Sequence, residues 1–592
     1  MPHDNRVFSH TAVFRNGWPL AVGVIGIVIG LGASVGLSNY VVYLGMSAVI
    51  SAIAILGLGV VTGSAGMIAL CQLTFAAAGA FIVCWLNSIN APGGFFIWLI
   101  LSGIGAGIVG IIVGLPALRL RGVNLAVVTL GFAAAADVTL VQIQFPGVTA
   151  GTQVLRPSLF ASDSSYFFFC VIVLTVCALA VFYLQRGRIG SSWKAVGFSE
   201  RGTASAGQSV RTAKLSAFAV SAALGGISGG LLAGQVGLPY PSSFSPLQSL
   251  ALYVLTVMTG AHLIDMAIFG GIVWVLVPEI LKDLGIPQDW GFVIFGVLGI
   301  QALTSGTNLG ETARSVIWRL KAGRKTYVRS EQTVPGVTTA NSPPTKHTTV
   351  VRREEGTKPL LVVENLTVIF GALTALDHVN MSVFPRTIMG LIGPNGAGKS
   401  TFVDALSGFL PDHEGTVFLE GHSLNGLSPH QRARLGLRRT FQQDRVPPTL
   451  TVGAYTRFVA RARIDSAELA ATLTYFGCPS PETRLSTLDV GTRRLVEVAA
   501  GVLARPRLLL LDEPAAGLSH EEHRELGARI RELPERFDTS VILIEHDLDL
   551  VRSVCPELTV LDFGQVLATG PQETVLENPA VIAAYMGETE VV

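Results

Sequence analysis

The sequence is poor in charged residues, and the shortage is uneven. Only 14% of its 592 residues are Asp, Glu, Lys or Arg, whereas a typical soluble domain carries about 25%. Positions 16–118 contain none of these four residue types. So long a stretch without charge excludes an ordinary soluble fold for this part of the chain and predicts a lipid-embedded region. From about Arg314 onward the composition is that of a soluble protein. We therefore expect one half of the chain in lipid and the other half in water.

Cysteine clusters and a strong net charge are also missing. The six cysteines form no CxxC pair and no metal-ligand spacing, so neither a disulfide framework nor a zinc site is predicted. The formal net charge of +1 gives no sign of a basic face. We therefore expect no nucleic-acid partner.

The apolar half divides into segments long enough to cross about 30 Å of hydrocarbon. They predict a multi-span α-helical membrane domain of about ten helices at 18–310, after a cytoplasmic N-terminus at 1–17. Small residues recur in these segments, as in GGISGGLLAG at 225–234, which is typical of helices that pack closely in lipid. The ten predicted spans are 18–38, 40–62, 66–88, 95–117, 122–144, 166–185, 213–236, 246–262, 264–281 and 288–306.

Basic residues cluster before the first span, after the fourth, between the sixth and seventh, and after the last. Counting spans places every cluster on one side, and the basic side faces the cytoplasm. Both ends of the membrane domain are therefore expected in the cytoplasm. These residues are Arg6, Arg15, Arg119, Arg121, Arg186, Arg188, Lys194, Arg201, Arg211, Lys214, Arg314, Arg319, Lys321, Arg324 and Lys325.

The C-terminal half has a different pattern. Residues 311–358 include a stretch rich in Thr, Pro, Ser and charge, which predicts a flexible cytoplasmic linker. From about residue 359 to 592, short β-rich runs alternate with helical stretches, as in a wound α/β domain.

The sequence LIGPNGAGKST at 391–401 matches the pattern G-x-x-x-x-G-K-[ST] of a phosphate-binding loop and follows an apolar strand. Its glycines allow backbone N–H groups to surround phosphates, its lysine adds a cation, and its serine hydroxyl can bind Mg²⁺. The sequence therefore predicts an ATP and Mg²⁺ site. The predicted binding residues here are Gly393, Asn395, Gly396, Gly398, Lys399, Ser400 and Thr401.

A second motif, LLLLDEP at 508–514, fits the same chemistry. Four leucines predict a buried strand, and Asp512 at its end can hold Mg²⁺. The next residue, Glu513, can polarise the attacking water. Together with the phosphate loop, this motif predicts an ATPase.

The order of these motifs resembles that of ATP-binding cassette transporters. Phe370 matches the aromatic residue that stacks on adenine, Gln442 the glutamine of the Q-loop, and His546 the switch histidine. The resemblance implies that Gln442 senses the nucleotide and its metal, and that His546 approaches the γ-phosphate. Catalytic roles are accordingly expected for Glu513, His546 and Gln442, and Mg²⁺ contacts for Ser400, Gln442 and Asp512.

The chain departs from this family at the signature motif, which is usually LSGGQ. The spacing to Asp512 selects Gly491 as the second signature glycine, so the segment reads LDVGT at 488–492. In the family this segment covers ATP bound to a second cassette, and its serine donates to the γ-phosphate. Asp489 stands in that place, so like charges would meet there. Weaker hydrolysis at any site completed by this segment is expected, with Asp489 and Gly491 as nucleotide contacts.

Both halves resemble importers of branched-chain amino acids, as a permease fused to its ATP-binding subunit. The membrane half is similar through LPALRLRGVNLAVVTLGF at 115–132, TAGTQ at 149–153 and KLSAFAVSAALGGISG at 214–229. The cassette is similar through AAGL at 515–518 and ENPAVIAAYMG at 577–587. The resemblance leaves open the solute, which could be urea, a short amide or another small molecule. An exporter and a membrane-anchored ATPase without transport are the alternatives.

The resemblance also implies partners. A second permease and cassette are needed, either a second copy or related subunits, and a separate extracytoplasmic binding protein would deliver the solute. In this family a short cytoplasmic permease helix docks on the cassette near the Q-loop. The matching segment is Ser199–Gly207, called the docking segment below.

Overall fold

The computed structural model describes residues 7–118, 120, 122–260, 264–305 and 358–586. Arg6, Arg119, Arg121, the basic residues at 314–325 and nearly all of the linker 311–358 lie outside these residues. The chain divides into two compact units. The membrane unit holds the N-terminal helices, and the cassette unit joins Lys194–Val210 to the C-terminal domain.

Every predicted span contains a helix in the membrane unit. Seven helices of the described chain are long and apolar enough to cross a membrane, whereas α3, α10 and α12 are shorter. The helical membrane domain is confirmed, with its number of full-length spans lower than ten by this measure. In chain order the helices described between residues 7 and 305 are α1 (Val7–Gly36), α2 (Asn39–Leu58), α3 (Gln72–Ser88), α4 (Gly94–Ala117), α5 (Val123–Ile143), α6 (Asp163–Arg186), α7 (Arg188–Phe198), α8 (Glu200–Ser205), α9 (Val210–Val236), α10 (Pro246–Thr259), α11 (Ile264–Asp283) and α12 (Trp290–Ser305). Of these, α8 and the end of α7 belong to the cassette unit.

The shortening of α3 comes from a break in regular structure after α2. A π-helical turn at Gly59–Ser64 follows α2, and residues 66–71 are not helical. The Thr129 hydroxyl accepts the Leu70 N–H at 3.0 Å, and Ser249 accepts the Leu73 N–H at 3.3 Å. Gln72 donates to the carbonyl of Ser221 at 3.1 Å. Irregular backbone in a membrane protein is tolerated where protein groups satisfy it, as these side chains do.

Helices α3 and α9 approach each other through small residues. A Cβ added at Gly229 would lie 1.7 Å from the Ala76 carbonyl oxygen, and one at Gly79 would lie 2.1 Å from that of Gly226. No side chain fits at these distances. The glycine-rich segment at 225–234 is therefore a packing surface within the membrane unit.

The cassette unit contains two sheets. β2 (Leu373–Val383), β1 (Leu361–Phe370), β4 (Glu414–Leu419) and β5 (His422–Ser423) form an antiparallel sheet in that order. The second sheet has the order β10-β9-β3-β8-β7-β6, in which only the β10–β9 pair is antiparallel. Its strands are β3 (Ile388–Ile392), β6 (Leu437–Arg439), β7 (Leu508–Asp512), β8 (Ser540–Ile544), β9 (Glu557–Asp562) and β10 (Gln565–Pro571).

The core of the cassette unit lies on both faces of the parallel sheet. β3, β7 and β8 are buried along their whole length, which explains their continuous apolar sequences. Leu508 and Leu510 join the cluster between the two sheets, whereas Leu509 and Leu511 join the cluster under the helices. The helices of this unit are Lys399–Leu406, Pro429–Arg434, Val452–Ala460, Ser466–Tyr475, Val490–Leu503, His520–Phe537, Leu548–Val554, Gln572–Leu576 and Pro579–Met586. The predicted α/β domain is thus confirmed.

The contact between α3 and α9 gives a first prediction. Gly229→Ala should lower the thermal stability of the purified protein, because the new methyl group meets backbone that cannot move aside. Gly131→Ala is the matched control, since Gly131 lies in α5 with no atom within 4 Å of the added Cβ. Alanine is the better helix former by about 1 kcal/mol, so the control should be neutral or stabilising. Equal melting temperatures for both variants in detergent would contradict the packing described above.

Candidate nucleotide site

The phosphate loop connects β3 to the helix Lys399–Leu406. Gly393 and Gly398 have φ angles of 151° and 100°, a region that favours glycine. A Cβ at Gly393 would lie 2.1 Å from the Leu561 carbonyl oxygen, so the backbone also leaves no room there. The Lys399 ammonium donates to the carbonyls of Gly393 at 2.5 Å and Pro394 at 2.8 Å. The loop therefore holds the Lys399 ammonium against its own backbone at the N-terminus of the helix, a position that favours anions such as phosphate.

The remaining predicted residues of the loop follow from its position. Asn395 and Gly396 lie at its turn, with Gly396 at a φ of 82°, and are exposed. Ser400 and Thr401 lie in the first turn of the helix. Ser400 is exposed, so its hydroxyl can reach a ligand at the helix N-terminus.

The three predicted catalytic residues come together. The Gln442 side-chain amide donates to Glu513 Oε2 at 2.8 Å, and His546 Nδ1 lies 3.8 Å from Glu513 Oε1. Glu513 follows β7 with a φ of 47°, and its N–H donates to the Ile544 carbonyl at 2.9 Å. This strand-to-strand bond fixes the carboxylate between the glutamine and the histidine. The group contains a base and two polar side chains that can contact it or a water on it.

Asp512 is paired with an arginine that the motifs do not single out. Asp512 is 8% exposed, and its Oδ2 accepts from Arg439 at 3.0 Å. Arg439 also donates to Asp404 Oδ1 at 2.5 Å and to Ser407 at 3.0 Å. Its acidic partners lie 35 and 73 positions away in the sequence, so no local pattern could reveal them. Only the pairing of β6 with β7 brings Arg439 beside Asp512.

The donor atoms at this edge suit Mg²⁺, which prefers oxygen ligands in proteins. Asp512 offers a buried carboxylate and Ser400 a hydroxyl. Gln442 donates through its nitrogen to Glu513, so its amide oxygen is the atom that can face a metal. The residues therefore fit the predicted ion, which would neutralise charge on the phosphates.

A buried ion pair holds the backbone just before Gln442. Arg494 and Glu497 are 4% and 6% exposed and lie 3.0 Å apart on the helix Val490–Leu503. The Phe441 N–H donates to Glu497 at 3.3 Å, and its carbonyl accepts from Arg494. Burial raises the pKa of Glu497 to about 7. The helix Val490–Leu503, called the signature helix because it begins within the predicted signature segment, thus fixes the backbone that leads into Gln442.

Asp489 forms the N-cap of that same helix. Its carboxylate accepts the Thr492 N–H at 2.8 Å and the Thr492 hydroxyl at 2.7 Å. The hydroxyl bond and then the backbone bond lower the pKa of Asp489, so its charge is retained. The signature turn packs on the segment after Glu513, since a Cβ at Gly491 would lie 2.6 Å from Leu518.

Phe370 is the predicted site residue that belongs to the other sheet. It ends β1, and its side chain is large and 49% exposed. An exposed aromatic ring at a strand end is available for stacking on a base, and its role as the adenine contact stays a prediction.

The docking segment lies within the cassette unit, although its sequence belongs to the permease-like half. Cassette arginines donate to the carbonyls at the end of α8: Arg438 to Ser205 at 3.1 Å, and Arg434 and Arg461 to Gly207 at 3.1 and 2.9 Å. Cations at a helix C-terminus complement its dipole. Arg438 is 6% exposed, and this burial lowers its pKa to about 10.

Apolar and hydroxyl contacts complete this interface. Ala206 is 3% exposed and belongs to the same apolar cluster as Val459 and Leu509 of the cassette. The Ser205 hydroxyl donates to the Arg439 carbonyl at 3.3 Å. Arg445 in turn donates to the Ser199 hydroxyl at 3.2 Å. The docking segment is therefore held beside the Q-loop by backbone and side-chain contacts.

Both halves of the chain are similar to known proteins. Residues 40–303 match the model for the branched-chain amino acid transport system permease component, and residues 376–516 match that for ABC transporters. The high-affinity branched-chain amino acid transport ATP-binding protein LivG of Escherichia coli strain K12 is 38% identical over 252 residues, which are 39% of this chain and 99% of LivG. BraF of Pseudomonas aeruginosa, which bears the same description, is 38% identical over 256 residues, with 39% and 99% covered.

Solved structures of isolated cassettes are also similar. One ATP-binding cassette of an ABC transporter in its ADP conformation is 27% identical and has a TM-score of 0.36, covering 39% of this chain and 100% of that one. A nucleotide-free cassette from an ABC transporter is 26% identical with a TM-score of 0.35, covering 38% and 99%.

Substitutions of Asp489 that keep the N-cap but remove the charge can test its effect on hydrolysis without a change in stability. Asp489→Ser should raise ATP turnover about tenfold, because it removes an anion from the segment that the resemblance places against the γ-phosphate, and tenfold in rate corresponds to about 1.4 kcal/mol. Serine is also a good N-cap, so the melting temperature should not change. Asp489→Asn, which keeps the cap without the charge, should also raise turnover. No gain in either variant, measured as phosphate release by the full-length protein, would show that Asp489 does not limit hydrolysis.

Proposed function

Because the chain belongs to the ATP-binding cassette transporters, as a permease of the branched-chain amino acid type fused to an ATP-binding subunit, we propose that it imports branched-chain amino acids. ATP hydrolysis in the cassette unit drives alternating access in the membrane unit. The descriptions of LivG and BraF, which name branched-chain amino acid transport, support the solute class. Urea, short amides and other small solutes are the competing cargoes.

The proposed chemistry uses the residues at the carboxyl edge of the parallel sheet. The phosphate loop and Lys399 bind the phosphates of ATP, and bound Mg²⁺ supplies positive charge to them. Glu513 orients and polarises the attacking water, which its position between Gln442 and His546 supports. Hydrolysis then requires a second cassette, whose signature segment completes the site.

One observation carries the transport proposal: the docking segment of the permease is bound by the cassette beside its Q-loop. Three arginines donate to its backbone carbonyls, and Ser205 bonds to the strand that leads into Gln442. An ATPase anchored to a membrane for another purpose has no need of such an interface. A change at the nucleotide site can therefore be passed to the permease through contiguous contacts.

The proposal includes partners and a location. A second permease and a second cassette, from another copy or from related subunits, complete the transporter, and a separate extracytoplasmic protein delivers the solute. The membrane unit lies in the cell membrane of a bacterium. The cassette faces the cytoplasm, where ATP is available.

The first test of this function uses Glu513. Glu513→Gln should keep ATP binding, because the phosphate loop is unchanged, while hydrolysis falls by about a hundredfold or more, as for loss of a general base. Uptake of radiolabelled leucine should be lost in bacteria that express the variant with the partner subunits and binding protein. Leucine uptake equal to that of wild type would contradict the proposal. Saturable uptake of urea in place of leucine would reassign the solute.

The second test separates ATP binding from transport. Ala206→Asp places a charge in the apolar cluster that receives the docking segment, at a cost of several kcal/mol if the contact persists. The segment should leave the cassette, so that leucine taken up per ATP hydrolysed falls about tenfold while ATP binding is kept. Ala471→Asp, the same change at an exposed helical site of the cassette, is the control. Equal coupling in both variants would remove the docking segment from the mechanism.

A further inference from the structure

Four side chains of alternating charge form a row of ion pairs across the cassette unit: Arg201, Asp404, Arg439 and Asp512. Successive pairs are separated by 3.1, 2.5 and 3.0 Å. One end belongs to the docking segment, and the other is the carboxylate predicted to hold Mg²⁺. This row is called the charge chain below.

The two inner members are shared between neighbours on opposite sides. Asp404 accepts from Arg201 with Oδ2 and from Arg439 with Oδ1. Arg439 donates to Asp404 through one terminal nitrogen and to Asp512 through the other. A group shared in this way holds one neighbour more strongly when the other is withdrawn. Removing a residue at one end should therefore strengthen the next ion pair of the row and weaken the one after it.

Burial makes the inner links strong and the outer link weaker. The Arg439 side chain is 5% exposed, and that of Asp512 is 11% exposed, so water screens their interaction little. The Arg201 side chain is 44% exposed, which weakens its pair with Asp404. Its guanidinium nevertheless lies 5.1 Å from the centre of the Phe409 ring, which fixes its position.

We propose that the charge chain makes the position of the docking segment control how readily Asp512 accepts a cation. When Arg201 engages Asp404, less of the Asp404 charge is available to Arg439, and Arg439 holds Asp512 more tightly. When Arg201 withdraws, Asp404 draws Arg439 toward itself and leaves Asp512 free for a metal. Arg439 is thus a positioning residue that acts through Asp512.

Thermodynamic linkage makes this coupling reciprocal. A metal–nucleotide complex that takes Asp512 from Arg439 returns Arg439 to Asp404, and so weakens the hold of the cassette on Arg201. Binding at one end of the row therefore loosens one contact of the docking segment at the other. The inference rests on the proposed function in one respect only, namely that Asp512 is a metal ligand.

The test measures how much Mg²⁺ tightens nucleotide binding. The metal factor is the dissociation constant of trinitrophenyl-ATP in EDTA divided by that in saturating Mg²⁺, for the full-length protein in detergent. Because it is a ratio within one variant, damage to the phosphate loop or to folding largely cancels. Unchanged binding in EDTA serves as the check that each variant is folded.

Successive substitutions along the charge chain should change the metal factor in opposite directions. Arg201→Gln should raise the metal factor about threefold, as for an exposed pair, and Asp404→Asn should lower it about tenfold, within the usual range of coupling between sites. Arg439→Gln should raise it, because the competing cation is gone. Arg439→Lys, which keeps the charge but lacks the fork that reaches both acids, should fall between Arg439→Gln and wild type.

A double-mutant cycle separates the charge chain from simple long-range attraction. Arg201→Gln should have no effect on the metal factor once Arg439→Gln is present, because the link is cut, whereas direct Coulomb effects would still add. Arg445→Gln removes a cation from beside Phe441 that is bonded to Ser199 and should change the factor less than Arg439→Gln does. Additive effects of Arg201 and Arg439, or a factor raised by Asp404→Asn, would overturn the proposal. A wild-type factor of one, unaffected by Asp512→Asn, would instead count against the metal site of the proposed function.

Discussion

The parallel strands β3, β7 and β8 end at the same edge of one sheet, and the chemistry of the cassette depends on that edge. The phosphate loop follows β3, Asp512 ends β7 with Glu513 directly after it, and Glu545 and His546 follow β8. Strand pairing places the ends of β7 and β8 side by side, because Asp512 is in register with Ile544. The fourth strand, β6, adds Arg439 and then Gln442 at the same edge. Ligands of wound α/β sheets bind at this position for the same reason.

Polar contacts also connect separate elements of the site. The signature helix holds Phe441 through the buried pair of Arg494 and Glu497. Arg439 then ties the phosphate-loop helix to β7 through Asp404 and Asp512. Apart from the partly buried Asp404, these charged groups are buried and have partners, so loss of one would leave another uncompensated. Polar contacts, in addition to apolar packing, therefore fix the relative positions of the helices and strands inside the cassette.

Much of the cassette could be predicted from sequence because its main motifs are local. The glycines and Lys399 occupy one turn, and Asp512 follows a run of leucines directly, so each pattern contains its own structural context. Arg439 could not be found in this way, since its partners are set by the order of strands in the sheet. The same holds for Glu497, which looks like an ordinary helical acid until burial is known. In the membrane unit, apolar runs predicted the helices, but the break at residues 66–71 has the same apolar composition as the helices around it. Hydropathy predicts which segments lie in lipid, but it does not predict where the backbone of such a segment departs from a helix.

The arginines that hold the docking segment donate to carbonyl oxygens of the main chain. Every residue type supplies the same carbonyl group, so these three bonds do not themselves select side chains, although Ser205 and Ala206 are constrained by their own contacts. What these bonds require is the three arginine donors and a backbone path that presents the carbonyl groups to them. The three carbonyl bonds therefore do not depend on which side chains the loop carries, whereas the contacts of Ser205 and Ala206 do. A permease with another loop would keep the carbonyl bonds to this cassette only by presenting the same turn of backbone, in which Gly207 has a φ of 74° that favours glycine.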